Sequence, residues 1–176
     1  MNMVKQIIYV DASGTSDNTV FKISLYDKDK NATHILQLKD VKNSCEAETY
    51  AIYYAVIYIK KHNYKKCHIL CDNQSAVNNE IIQNLSRDYK IGITWIPREI
   101  NMVADKISKL EPTLKDKEWY ILKLFVDIYS KKSKSGEDKD IKSLKDEIIK
   151  LETTIKNKNT KIANQSKQIT NLTKNN

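Results

Sequence analysis

Paired cysteines, phenylalanine, an acidic balance and long apolar runs are scarce or missing in this chain. No apolar stretch approaches the roughly 20 residues that a bilayer-spanning helix needs, so no helical membrane span and no membrane partner are expected. The first residues lack the basic, apolar and small-residue succession of a secretory leader. The three cysteines, Cys45, Cys67 and Cys71, are odd in number and do not suggest a disulfide framework. The expected location is therefore cytoplasmic, with reduced thiols. Cys67-His68-x-x-Cys71 has half the spacing of a zinc site, but no second Cys/His pair follows it and it falls in an apolar strand, which argues against zinc.

Phenylalanine occurs twice against ten tyrosines, so the core must be polar at its margins. The shortage of acids leaves a net charge of +8, which suits a polyanionic partner, although a composition rich in Lys and Asn also follows from an AT-rich coding sequence. At 176 residues with 40% hydrophobic content, the chain fits one packed domain plus an appendage.

Gln6–Val10 is a continuous apolar β-type run, followed by a half-buried alternation over Thr19–Tyr26 and a less regular one over Thr33–Lys39. Short polar turns join the three into an antiparallel meander, with the first strand at or near the centre. Glu46–Lys61 then repeats at helical spacing, with Asn43 or Ser44 as cap and two apolar lines to pack on the sheet. His68–Cys71 is a second apolar strand, and the Val77, Ile81, Leu85 spacing predicts one short helix from about residue 75. Ile91–Ile96 is a fifth strand. Asn101 can cap a further helix in which Val103, Ile107 and Leu110 face inward. Strand, helix, strand is the βαβ arrangement, so Gln6–Val10 and His68–Cys71 should be parallel neighbours with adjacent carboxyl ends.

Those ends carry acids. Asp11 follows the first strand, Asp72 follows the fourth, Glu48 lies near the start of the long helix, and Asp105 lies in the first turn after Asn101. Taken singly, each has an ordinary reading: Asp11 opens a turn with Ala12-Ser13-Gly14, and Glu48 and Asp105 favour a helix dipole. Together, converging carboxylates repel one another and raise their pKa values unless cations neutralise them. Oxygen-only ligands suit Mg²⁺ or Mn²⁺, and two such ions support in-line hydrolysis of a phosphodiester.

Four segments carry a family resemblance. Tyr-Val-Asp-Ala-Ser, Cys-Glu-Ala-Glu-Thr-Tyr-Ala-Ile, Ile-Leu-Cys-Asp-Asn-Gln-Ser-Ala-Val and Trp-Ile-Pro-Arg-Glu-Ile-Asn-Met-Val-Ala-Asp-Lys-Ile-Ser-Lys resemble, in order and at fitting separations, the signature segments of type 1 ribonuclease H. The resemblance covers about residues 4–110. It implies a ribonuclease H-like fold: a five-stranded mixed sheet, three strands antiparallel and two parallel, flanked by helices. It also implies endonucleolytic cleavage of the RNA strand of RNA–DNA hybrids to 5′-phosphomonoesters, with two Mg²⁺ ions, or Mn²⁺, held by Asp11, Glu48, Asp72 and Asp105. Ser13, Asn43, Ser44, Gln74, Arg98 and Asn101 are the substrate-binding candidates it suggests.

Two departures bear on this. Asn43-Ser44-Cys45 only partly matches the Thr-Asn-Asn that commonly senses the RNA 2′-hydroxyl. The loop before Asp105 is Arg98-Glu99-Ile100-Asn101 and lacks the mobile histidine of many members, so the chain resembles the histidine-lacking, plant and bacterial subgroup. The link from Leu85 to Ile91 also leaves no room for the basic protrusion that some relatives use, so other Lys and Arg residues must supply the salt-sensitive grip.

After Glu111-Pro112-Thr113, Leu114–Ser130 is apolar on most sides and is either the last domain helix or a dimer contact. The expected organisation is a domain over 1–130, a linker over 131–140 and a C-terminal helix over 141–173. In that helix Ile141, Ile148, Ile155, Ile162 and Ile169 recur every seven residues, with Leu144, Leu151, Lys158, Gln165 and Leu172 at the complementary position. Ile and Leu in these places favour a parallel two-stranded coiled coil, as a homodimer or with a protein partner; Lys158 and Gln165 weaken the seam, and a fraying single helix is the other reading. Two further functions stay open: a catalytically idle RNA- or hybrid-binding module tethered by the coiled coil, and another nuclease on the same fold.

Overall fold

In the computed structural model, which describes residues 5–15, 17, 19–135 and 141–174, the chain divides into two units, Met1–Gly136 and Glu137–Asn176. The first is an α/β structure on a five-stranded mixed sheet. Its strands are β1 (Gln6–Gly14), β2 (Phe21–Asp27), β3 (Ala32–Gln37), β4 (Cys67–Cys71) and β5 (Gly92–Trp95), in spatial order β3-β2-β1-β4-β5. Its helices are α1 (Ser44–Lys61), α2 (Gln74–Val77), α3 (Glu80–Tyr89), α4 (Met102–Ser108) and α5 (Asp116–Ser135). β1 pairs antiparallel with β2 and parallel with β4, so the most apolar strand is central, as expected. β2 with β3 is antiparallel, and β4 with β5 is parallel.

The two ladders of β1 end at different points. Pairing with β4 runs from Gln6↔Cys67 to Val10↔Cys71 and stops, while pairing with β2 continues to Gly14↔Phe21. Asp11 therefore lies inside β1, opposite Ser24, rather than in the turn its sequence suggests. The cause is the backbone ladder, which β2 supplies regardless of side-chain polarity.

Side chains alternate faces along a strand. Ile8 and Val10 share a face with Ile23, Leu25, Leu36, Ile69 and Cys71, none more than 2% exposed. α1 covers this face and is buried almost all round from Ala47 to Ile59, because α5 packs on its far side. Tyr50 meets Trp119 with ring centroids 5.4 Å apart, and Tyr53 meets Phe125 at 5.9 Å. The apolar segment after Pro112 is thus a domain helix. It continues to Ser135, into the span expected as linker, and residues 136–140 lie outside the described residues.

The tyrosines make the core's polar margin. Tyr58 and Tyr64 donate to Asp27 Oδ2 at 3.0 and 2.6 Å, and Tyr129 donates to Asp88 Oδ2 at 2.8 Å. Asp27 also accepts from the backbone N–H groups of Asp29 and Lys30, which completes the bonding of a fully buried carboxylate.

Other details differ from expectation. The segment after residue 75 is two helices, because Asn78 ends α2 and the Asn79 side chain accepts from Ile81 N to start α3. Of the three apolar residues expected to face inward only Ile107 is buried; Val103 is 48% exposed, and Leu110, beyond the end of α4, is 59% exposed. Asn101 makes no side-chain cap. Cys67 and Cys71 lie on the covered face while His68 alternates to the other, hydrogen-bonded to Thr94 Oγ1, so the three cannot form a zinc site.

The second unit is one helix, α6 (Ile141–Lys174). Ile162, on its seven-residue apolar line, is 59% exposed. Among the described residues no helix is long and apolar enough to cross a membrane.

Candidate active site

Beyond the Val10↔Cys71 pair, β1 and β4 separate, and the acids collect around that point. Asp11 comes from β1, Asp72 from the residue after β4, Glu48 from the second turn of α1, and Asp105 from α4. α1 starts where it does because Asn43 Oδ1 accepts from Glu46 N at 2.9 Å while Glu46 Oε2 accepts from Lys42 N at 2.7 Å. That start sets Glu48 on the buried side, 6% exposed.

Glu48 and Asp11 feel the charge of their acidic neighbours. Burial pushes the Glu48 carboxyl up to about 9, reinforced by the negative charges of Asp11 and Asp72. Burial likewise raises Asp11 to about 6; the hydrogen bond from Ser108 pulls it back, and the charges of Asp72 and Asp105 push it up. Asp105 is held below the usual carboxylate range, mainly by Lys109 Nζ at 2.7 Å, with Arg98 Nη2 at 3.1 Å on its other oxygen. Cys71 Sγ lies 3.7 Å from Glu48 Oε2, and burial next to that acid holds the thiol protonated.

This arrangement fits a hard divalent cation. Ligand atoms of Glu48, Cys71 and Asp72 lie within 4.8 Å of one another. Two of these three atoms are carboxylate oxygens and the Cys71 sulfur is turned toward Glu48 Oε2, so the donor set is mainly hard oxygen, which suits Mg²⁺ or Mn²⁺ better than a thiophilic metal. Glu48 in particular is a buried acid with two acidic neighbours and, among the described residues, no basic hydrogen-bond partner, and a cation would relieve all three acids.

The other candidate residues divide by exposure. Ser44 and Gln74 open α1 and α2 and are exposed beside the acids. Arg98 has 75% of its side chain exposed but is engaged with Asp105. Ser13 Oγ donates to the Ser108 main-chain oxygen at 2.6 Å, and Asn43 is occupied in the helix cap. Asn101 is fully buried, with Nδ2 donating to the Val10 carbonyl at 2.9 Å, so its place is inside the framework rather than against a substrate.

Three residues near the acids lie in the 95–109 segment of the resemblance but were not among its site candidates. Ser108 Oγ donates to Asp11 Oδ2 at 2.9 Å, Lys109 pairs with Asp105, and Trp95 Nε1 donates to the Asp72 main-chain oxygen at 3.1 Å. The first two sit three and four positions after Asp105, which on a helix is the same face, and that spacing is the signal that could have found them. The chain matches no protein-family model and no curated protein.

Proposed function

We propose that the first unit is a ribonuclease H with a ribonuclease H-like fold, hydrolysing the RNA strand of RNA–DNA hybrids endonucleolytically to 5′-phosphomonoesters. The observation that supports the reading is that Glu48, buried beside the end of the β1–β4 ladder, feels the charges of Asp11 and Asp72, while Asp11 feels those of Asp72 and Asp105. Strand ends of this kind are where open α/β sheets place their ligands. The family resemblance of the same four segments points the same way.

On this reading the four carboxylates hold two Mg²⁺ ions, with Mn²⁺ as the alternative. Once bound, such ions supply water activation and neutralise charge on the leaving oxygen. The chain's own residues do the rest. The buried Glu48 and Asp11 are fixed ligands, set in α1 and in the laddered part of β1. Ser44 and Gln74, exposed at two helix starts, are placed to meet the hybrid, where the 2′-hydroxyl distinguishes RNA from DNA. The excess positive charge, +8 over the chain, offsets a polyanionic substrate.

One observation favours an idle binding module instead: Asp105 is already neutralised by Arg98 and Lys109. Cleavage of labelled RNA–DNA, RNA–RNA and DNA–DNA duplexes in Mg²⁺ separates the readings. The expected result is cutting of the RNA strand of the hybrid alone, abolished in Asp72→Asn. Hybrid binding without cleavage supports the module, and cleavage that survives Asp72→Asn sinks the site assignment.

A further inference from the structure

α4 packs Ala104 and Ile107 on the sheet and is further joined to it by hydrogen bonds. Met102 and Val103 face solvent, 52% and 48% exposed, and the helix buries only Ala104, Ile107 and Ser108. Ser24 Oγ donates to the Ala104 carbonyl at 2.8 Å, and Ser13 Oγ to that of Ser108 at 2.6 Å. Lys22 Nζ reaches the carbonyls of Lys109 and Leu110 at 3.2 and 2.7 Å, at the end where a helix carries its partial negative charge. Asn101 Nδ2 closes the other end on Val10.

Among these groups only Ser108 also touches a carboxylate. Its side chain is fully buried, with Oγ 2.9 Å from Asp11 Oδ2 and 2.8 Å from the Asp105 main-chain oxygen. A hydroxyl has one hydrogen to give, and an ionised carboxylate is a stronger acceptor than an amide carbonyl. The hydrogen therefore goes to Asp11, and the short contact to the Asp105 backbone fixes where the oxygen stands. Ser108 thus ties the central strand's acid to the helix that carries Asp105.

We infer that Ser108 is a positioning residue that sets the orientation of the Asp11 carboxylate and its spacing from Asp105, so that both can meet a divalent cation. The inference rests on the metal-dependent nuclease reading. Groups that orient a ligating carboxylate in this way change metal affinity by about 10–100-fold when lost. Ser24 provides the contrast, because it lies opposite Asp11 in the ladder and holds the same helix, yet its buried hydroxyl donates to the Ala104 carbonyl and not to a carboxylate.

The test is Mn²⁺ binding to the full chain, measured by electron paramagnetic resonance of the free ion, in the wild type, Ser108→Ala and Ser24→Ala. Both variants should lose some thermal stability. Ser108→Ala should bind Mn²⁺ about tenfold more weakly or worse, and Ser24→Ala should bind as the wild type does. Wild-type affinity in Ser108→Ala, or equal weakening in Ser24→Ala, overturns the positioning role while leaving the nuclease reading intact. Failure of the wild type to bind Mn²⁺ at all overturns both. Should Ser108→Ala not fold, Ser108→Cys, of similar shape but with a weaker donor, takes its place, and unchanged affinity there counts equally against the inference.

Discussion

Cys71 Sγ sits 3.7 Å from Glu48 Oε2, a protonated thiol facing a carboxyl that the fold also holds protonated. This acid's folded pKa is raised, from 4.5 to about 9, so the folded chain keeps a proton that the unfolded chain releases. Stability from this source is full below about 4.5 and falls as pH rises through about 9, and Asp11 adds to the fall between 3.8 and about 6. In chelator, urea midpoints of the wild type should drop across this window. Glu48→Gln, neutral at every pH, should flatten the drop, and Mg²⁺ should reverse part of it in the wild type by binding the folded form. A slope unchanged in Glu48→Gln would show that Glu48 does not carry it.

Lys109 Nζ sits 2.7 Å from Asp105 Oδ2, where it would compete with a bound cation. The pair is more than half exposed on the lysine side, so its loss should cost about 1 kcal/mol or less. Lys109→Ala should therefore melt close to the wild type yet need less Mg²⁺ for half-maximal cleavage. A higher Mg²⁺ requirement would mean that Lys109 organises Asp105 rather than competing for it.

Tyr64 and Tyr58 both donate to the buried Asp27 carboxylate, at the end of β2 away from the acids. A hydrogen bond to a charged group contributes about 1.5–3 kcal/mol. Tyr64→Phe should lower unfolding free energy by that amount in urea titration and leave hybrid cleavage per folded molecule unchanged. A loss of activity in the folded variant would contradict this separation.

α6 spans 34 residues as a single helix, and helices of this kind draw most of their stability from a covered apolar face. Its seven-residue repeat favours a parallel pair of copies. Sedimentation should give the full chain twice its monomer mass, and Ile155→Asp should halve it without abolishing cleavage. A monomeric wild type would remove the coiled-coil proposal.

The sheet was legible because its signals are apolar and local. Gln6–Val10 and His68–Cys71 read as strands, and the helix between them forces the parallel pairing seen in the register. Three of the acids, Asp72, Glu48 and Asp105, could be placed from strand ends and helix starts. Where polar groups decide the geometry, the pattern fell silent. The Val77, Ile81, Leu85 spacing runs straight through the break that Asn78 and Asn79 impose. Likewise α4 read as an apolar helix, while the structure docks it through Ser24, Lys22 and Ser108. Hydrogen bonds over such sequence distances leave no periodic trace, and neither does the extension of β1 past its apolar run.

That extension means the two strand acids are anchored from opposite sides of the sheet. Asp11 is clamped into the β2 ladder on one side, whereas Asp72 stands just beyond the last rung shared by β1 and β4. Asp72 is held from the other side, where Cys71 pairs with Trp95, Ile96 N donates to the Cys71 carbonyl and Trp95 Nε1 donates to the Asp72 main-chain oxygen. A change in β2 and a change in β5 would therefore move different halves of the acid pair.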